Sequence, residues 1–376
     1  LNYLVGLANY AGYPFRPSIK SASQIGRGIL QVFPAKANRF SLKGIFKHGF
    51  KRPGLSLGVV MLVLLPLAAY SQAGSSPSLR FNAPDSHSSG SASSSYHPML
   101  PAGVLKLAGE ERYLIWVDLE LGKLNILERN EQGGMELRQV IPVSIGKNGF
   151  GKEKEGDKKT PVGVYRLTSF LSDEQLIDFY GLGAFPLNYP NVIDRKAQRT
   201  GSGIWLHGLP KDVTTRPLLD SDGCVVIDNE SFSEINKYIT PGITHMVLSE
   251  SPISWVASES INDRRSALTQ AFEGWRRAWE AKDNPEFLSY YADDFSDFIR
   301  NKTQWSDYKS RVNNGKKWIE VEASKVSFYA DLEHPELVTV RYYQNYKSSN
   351  YQWLGWKEQL WRESPEGWQI VFEGNG

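Results

Sequence analysis

The chain has one cysteine in 376 residues, and only six histidines. A single thiol excludes an intramolecular disulfide framework and any multi-cysteine metal centre. An excess of one charge is also lacking, since 43 Lys and Arg face 41 Asp and Glu for a net +2. That balance carries no polyanion signature and argues against a nucleic-acid partner. Long hydrophobic runs are scarce too. The most apolar one, residues 55–67, is shorter than the ~20 residues a membrane-spanning helix needs.

The surroundings of that run are informative. Lys43, Lys47, Lys51 and Arg52 precede it, and Ala68-Ala69-Tyr70-Ser71-Gln72-Ala73 comes directly after it. A charged start, an apolar middle and small residues at positions 71 and 73 describe a secretory signal. An uncleaved membrane anchor is the alternative, and the positive charge directs the downstream chain outward in either case. Residues 1–42 receive no assignment, so 1–73 is read as an N-terminal segment with the signal. Residues 74–103 are rich in Ser, Gly, Ala and Pro and read as a flexible tether, with His87 and His97 solvated rather than metal-binding.

The lone cysteine sits in Ser221-Asp222-Gly223-Cys224, ahead of the apolar run Val225-Val226-Ile227. Seventeen positions earlier His207 ends another apolar run, Ile204-Trp205-Leu206, and is followed by Gly208. Two short strands side by side would bring imidazole to sulfur. A thiolate is the nucleophile, and a neighbouring imidazole assists its formation and returns the proton to a leaving group. Gly223 permits a tight turn with the amides of Ser221, Asp222 and Gly223 near a developing oxyanion. The Gly208 carbonyl is placed to hold the imidazole in one tautomer.

His-Gly, a spacer, then Ser-x-Gly-Cys before a hydrophobic strand resembles the L,D-transpeptidase (YkuD-type) catalytic domain. Gly146-Lys147-Asn148-Gly149, then Gly156-Asp157-Lys158-Lys159-Thr160-Pro161-Val162-Gly163-Val164-Tyr165, then Phe185-Pro186-Leu187-Asn188-Tyr189-Pro190-Asn191 extend the likeness. They resemble the branch of murein carboxypeptidases and lipoprotein-releasing enzymes of Gram-negative bacteria. The resemblance implies a β-sandwich with short helices over residues 104–250, Cys224 as nucleophile, His207 as base and Gly208 as the orienting carbonyl. Two departures stand out: Asp222 and Val226 occupy positions where many members carry His and Arg. An acid beside the thiol opposes thiolate formation. The absent arginine removes a carboxylate partner, and Arg216 is the residue offered in its place, with a solvated charge as its plainer role.

Strands are predicted over residues 112–128, with a turn at Gly122-Lys123, and over 137–145 and 160–167. The Gly- and Lys-rich run 147–159 fits no phosphate loop and reads as a mobile, solvated lip of the cleft. Short helices are predicted at 172–180, capped by Ser172 and Gln175, and at 232–238. Residues 185–191 read as a cleft wall, with Tyr189, Asn191, Asp194 and Arg199 as candidate holders of a zwitterionic stem peptide or, equally, as structural residues. His245 falls in a closing strand, 245–248, as a packed core residue.

After a boundary at 249–262 the pattern changes. Leu268, Phe272, Trp275 and Trp279 recur at helical spacing over 264–282. Shorter helices at 285–291 and 303–313 come next, then four strands at 319–332, 337–347, 351–362 and 368–373. A long helix, short helices and an antiparallel meander resemble an α+β NTF2-like cone over 262–376. Eight of the eleven tryptophans lie there, offered to a ligand or to a dimer face rather than to the core alone.

The expected activity is that of an exported periplasmic cysteine enzyme acting on the diaminopimelate–D-alanine bond of peptidoglycan stem peptides, by transfer or hydrolysis. No metal or organic cofactor is required, because thiolate, imidazole and amides supply the chemistry. A wall-linked lipoprotein and a second copy of the chain are the other candidate partners, and membrane contact is expected only through an uncleaved signal. The alternative is a non-catalytic wall-binding scaffold that works through the cone pocket.

Overall fold

In a computed structural model, residues 97–376 are described. The signal segment, most of the tether and His87 lie outside them. The strand Tyr113–Asp118 explains the layout. Its sequence YLIWVD is apolar at consecutive positions, and five of its six residues are buried. Such a run needs cover on both faces, and both are covered. Ile115 and Val117 face one core with Phe185, Leu206, Val225 and Ile227, while Leu114 and Trp116 face another with Leu100, Val104, Val247 and Tyr329.

That strand is central in a five-stranded sheet, in the order Met135–Pro142, Lys123–Arg129, Tyr113–Asp118, His245–Ser249, Gly163–Arg166. Only the pairing of Tyr113–Asp118 with His245–Ser249 is parallel. The expected closing strand is therefore interior. A four-stranded sheet packs across the first core, in the order Val225–Ile227, Trp205–Gly208, Gly183–Pro186, Leu171–Ser172. Sheet faces sheet, as the sandwich expectation requires. The helix expected at 172–180 is instead two 3-10 turns, Asp173–Gln175 and Asp178–Tyr180. The Ser172–Gln175 capping box is present, but the chain turns away after each short piece.

Beyond residue 261 the helix Asn262–Ala281 buries Leu268, Phe272, Trp275, Ala278 and Trp279. Helices Asn284–Ser289 and Lys302–Asn314 come after it, then the antiparallel strands Ile319–Ala330, Leu337–Ser348, Tyr351–Ser364 and Gly367–Asn375. Trp275, Trp279, Trp305, Trp361 and Trp368 fill this core. That corrects the ligand or dimer role expected of the tryptophans as a group, because the curved sheet needs large side chains to fill it against the long helix. Only Trp318 among them is exposed, and Trp356 lies under the Arg341 guanidinium at 3.5 Å.

The tether is shorter than its composition indicates. Met99–Pro101 pairs with Trp255–Ala257, and Val104–Lys106 adds a fifth strand to the edge of the cone sheet. Leu100, Val104 and Leu105 are almost completely buried, so three apolar side chains override the Gly and Pro around them. The seam between the lobes joins apolar patches, Leu114 and Trp116 against Tyr329 and Val192 against Leu360 and Phe372, to polar pairs. Arg199 Nη2 donates to Glu333 Oε2 at 2.7 Å, and Arg166 pairs with Glu358 at 3.8 Å. His245 stacks on Tyr329, ring centroids 4.3 Å apart, with its Nδ1 2.6 Å from Glu111 Oε1. No helix among the described residues is long and apolar enough to cross a membrane.

Candidate active site

The parallel pairing of Trp205–Gly208 with Val225–Ile227 sets Leu206 against Val225 and His207 against Val226. One step back in that register puts Cys224 beside Trp205. Residues two apart on a strand share a face, so His207 looks the same way as the sulfur. Both line a cavity of about 280 Å³, together with Lys152, Phe179, Tyr180, Gly203 and Arg216. Cys224 is a free thiol, partly exposed, and its Sγ lies 3.5 Å from the Gly203 carbonyl oxygen.

His207 is almost completely buried, and its Nδ1 lies 2.7 Å from the Gly208 carbonyl oxygen. A carbonyl only accepts, so Nδ1 carries the proton and Nε2 is the basic nitrogen. Burial, with a smaller push from Arg216, lowers the imidazole to about 4 against the pull of the Gly208 carbonyl. Burial also raises the Cys224 thiol, and Asp222 adds to it, while the Trp205 amide, Arg216 and Lys152 act in the opposite direction. The resting pair is thus neutral thiol and neutral imidazole.

Backbone holds this arrangement. A Cβ on Gly208 would stand 2.2 Å from Asn229 Oδ1, and Asn229 Nδ2 donates to the Leu209 carbonyl. Gly223 has φ +126°, and a Cβ there would approach the Lys159 carbonyl to 2.8 Å. The Ser221 hydroxyl receives the Gly223 amide at 3.0 Å and donates to the Cys224 carbonyl at 2.6 Å. Thr160 Oγ1 donates to the Gly223 carbonyl at 3.0 Å. Ser221 is therefore a brace of the turn. The Gly223 amide is already committed to it, which corrects its expected service to an oxyanion.

Asp222 is mostly exposed and lies 3.3 Å from Lys147 Nζ and 3.9 Å from Lys158 Nζ. Two ammonium groups thus flank the acid, which still raises the thiol as expected. Arg216 is mostly buried, not a solvated charge. Its Nε donates to Asp220 Oδ2 at 2.7 Å and its Nη2 to the Asp220 carbonyl at 2.6 Å, while Nη1 is buried without a hydrogen-bond partner.

The other predicted binding residues stand elsewhere. None of Tyr189, Asn191, Asp194 and Arg199 lines the cavity, nor does the wall segment 185–191. Tyr189 donates to the Thr200 carbonyl, Asn191 caps the helix Val192–Lys196, and Asp194 is buried against Tyr165 and Arg199. Their polar atoms are consumed in fixing the loop and the seam, so they are structural residues. The segment 147–159 is also not a free lip. Asp157 accepts from Lys152 Nζ and from the amides of Glu153, Lys154 and Lys159, and Lys152 is 4% exposed. These bonds and the Lys152 ammonium hold the Asp157 carboxyl well below its ordinary range despite desolvation.

Sequence reasoning missed Lys152, Phe179, Tyr180 and Asn229. Tyr180 stands edge-on to His207 with ring centroids 5.1 Å apart and 4.8 Å from Trp205. Two adjacent aromatics in a polar turn, Phe179-Tyr180, were the available signal. Among the described residues no group of three or more His, Cys, Asp or Glu is placed to hold a metal ion.

Comparison with known proteins agrees with this geometry. The L,D-transpeptidase catalytic domain matches residues 112–248, and the Cds6 C-terminal NTF2-like domain matches residues 267–374. A search of curated proteins returned no match. Among solved structures, Bd1075 of Bdellovibrio bacteriovorus is 31% identical over 74% of this chain and 98% of its own, with a TM-score of 0.59. The helical cell shape determining protein Pgp2 from Campylobacter jejuni shares the fold at 23% identity, over 73% of this chain and 96% of its own, with a TM-score of 0.60. With one model matching the lobe that holds the thiol and the other matching the cone, the chain belongs to the L,D-transpeptidase (YkuD-type) family, in the form that carries a C-terminal NTF2-like domain.

Proposed function

We propose that the protein is an exported cysteine enzyme of the bacterial cell wall that cleaves the diaminopimelate–D-alanine bond of tetrapeptide stems. The observation that carries this reading is the His207 Nδ1 bond to the Gly208 carbonyl, which leaves a neutral, basic Nε2 on the face shared with Cys224. In the proposed reaction, Nε2 takes the thiol proton as sulfur attacks the carbonyl carbon. The C–N bond breaks, the amine leaves with that proton as D-alanine, and a thioester remains on Cys224. Water then gives an L,D-carboxypeptidase, and an amine gives an L,D-transpeptidase.

Arg216 is assigned to a stem carboxylate, because a buried guanidinium nitrogen without a partner is costly until an anion reaches it. The neutral resting pair suits general-base attack rather than a preformed ion pair. By analogy with Pgp2, a helical cell shape determining protein, the outcome proposed for the cell is a change of shape through trimmed or linked stems.

The test is an intact mass after incubation with a carbapenem, with digestion of tetrapeptide muropeptides by wild type and Cys224→Ala. A covalent adduct and cysteine-dependent release of D-alanine are expected. Without either, the activity assignment is lost, and the scaffold reading takes its place. That second reading is favoured by one observation. Inside the cone, Lys309 and Glu373 meet beside Tyr342 and Trp305, whose hydroxyl and Nε1 have no hydrogen-bond partner.

A further inference from the structure

A cleft larger than the one beside Cys224 lies at the seam of the two lobes, with a volume of about 500 Å³. Its walls come from three separate places: the N-terminal strand that joins the cone sheet, the turn after Lys123–Arg129, and the start of the helix Asn262–Ala281. Lys106, Arg129 and Arg265 converge on it, and none of its lining residues is acidic. Leu100, Leu105 and Leu107 form an apolar floor.

Three cations gathered without a lining carboxylate repel one another, and the fold tolerates this at a cost. Burial pushes the Lys106 ammonium down; Glu273 pulls the other way and Arg265 adds to the fall. The Lys106 Nζ lies 5.2 Å over the Phe328 ring, without an ion pair. Arg129 Nη1 donates to the Ala108 carbonyl at 3.2 Å, and Arg265 Nη2 donates to Asn262 Oδ1. A guanidinium has five N–H donors in a planar fork, so one internal bond aims it and leaves donors for a planar anion.

We propose that this cleft binds a carboxylate-bearing stem peptide of the wall polymer, separate from the stem cleaved at Cys224. The proposal rests on the wall-enzyme reading above. The arginine forks match carboxylates, and the leucine floor matches aliphatic stretches between charges, which a bare phosphate lacks. An anionic membrane surface fits less well. The three cations are recessed, whereas Glu131, in the same turn as Gly133, and Asp263, two residues before Arg265, are exposed. Holding a neighbouring stem would keep the polymer at a high local concentration while Cys224 turns over.

The test uses the whole chain with Cys224→Ala, so that the probe stays intact. Purified tetrapeptide muropeptide is titrated in, and acylation of the Lys106 amine is read by peptide mass. Muropeptide should protect Lys106, and Arg129→Gln with Arg265→Gln should weaken that protection about tenfold or more, as loss of charge-assisted bonds implies. Protection should fade as salt rises, and a carbapenem on the native Cys224 should not compete for it. Equal protection by muropeptide with amidated carboxylates overturns the proposal. So does protection by phosphatidylglycerol vesicles or inorganic phosphate where muropeptide gives none. Should the double variant fail to fold, Ser266→Trp, at an exposed helix position on the cleft, must abolish protection instead. Release of D-alanine by the wild type with Lys106 unprotected defeats the cleft alone; protection without release defeats only the reaction assigned to Cys224.

Discussion

Beside Cys224, the thiol and the imidazole are held mainly by backbone and line an open cavity; in the cone, comparable groups are held by side chains and sealed. His207 leans on a carbonyl, and Gly223 and Cys224 are tied through Ser221. Glu373, by contrast, is 3% exposed and accepts from Tyr291 at 2.7 Å and Gln359 at 3.2 Å, with Lys309 3.5 Å away. The Lys309 ammonium also lies 4.5 Å from the ring centres of both Trp279 and Trp305. The two kinds of support leave each region free to do different things. Backbone support leaves the thiol, Nε2 and one arginine nitrogen available to a substrate. Side-chain support spends most of its bonding on itself, so the cone cluster should matter first for stability.

The sharpest way to break this contrast is Cys224→Ala. It should lower D-alanine release by at least roughly a thousandfold, in line with removal of other covalent nucleophiles, and leave the melting temperature nearly unchanged. Glu373→Gln is the mirror experiment. It strands the Lys309 charge, and breaking a buried pair from one side costs about 3 kcal/mol or more. Denaturant unfolding should show that loss while kcat/KM of the folded fraction holds. A fall in kcat/KM with unchanged stability would reverse the assignment of roles.

A smaller effect should appear with pH. The His207 imidazole is held near 4 in the fold, whereas an unfolded one titrates near ~6.5. Between those values the unfolded state binds more protons, so stability rises with pH and falls as pH drops from about 6.5 towards 4. The span is worth roughly 3 kcal/mol. His207→Gln should flatten the part of that slope that wild type owes to this residue, as read from unfolding midpoints against pH. Last, two arginines separate substrate contact from scaffold. Arg216→Gln should raise KM about tenfold with little change in melting temperature. Arg199→Ala should leave KM unchanged and cost about 1–3 kcal/mol, because it strands the buried Asp194 carboxylate as well as losing the partly exposed pair to Glu333.

Much of the fold is readable in the residues alone. The helix Asn262–Ala281 repeats its aromatics at helical spacing, and the four cone strands are marked off by the turns between them. Periodicity of that strength reports burial directly. The strand Val104–Lys106 is not readable in that way, because three residues carry no period and its partner, Ile319–Ala330, is over two hundred positions away. The same distance problem hides the brace at Asn229, while the hub at Asp157 is local and is hidden by composition instead. A Gly- and Lys-rich segment resembles a solvated loop until one carboxylate is seen collecting its amides.

Local spelling was sufficient to single out Cys224, His207 and Gly208 as neighbours, because a thiol ahead of one apolar run and an imidazole closing another come together when the two runs pair. The helical and strand periods likewise placed the cone. What each charge does was settled only by packing. Asp194 and Arg199 look like substrate ligands in the one-dimensional text and are spent in the seam, while Arg216 looks solvated and is buried with an unbonded nitrogen. The physical reason is that a side chain's availability depends on which neighbours consume its donors and acceptors. Those neighbours are chosen by the three-dimensional fold, not by adjacency along the chain.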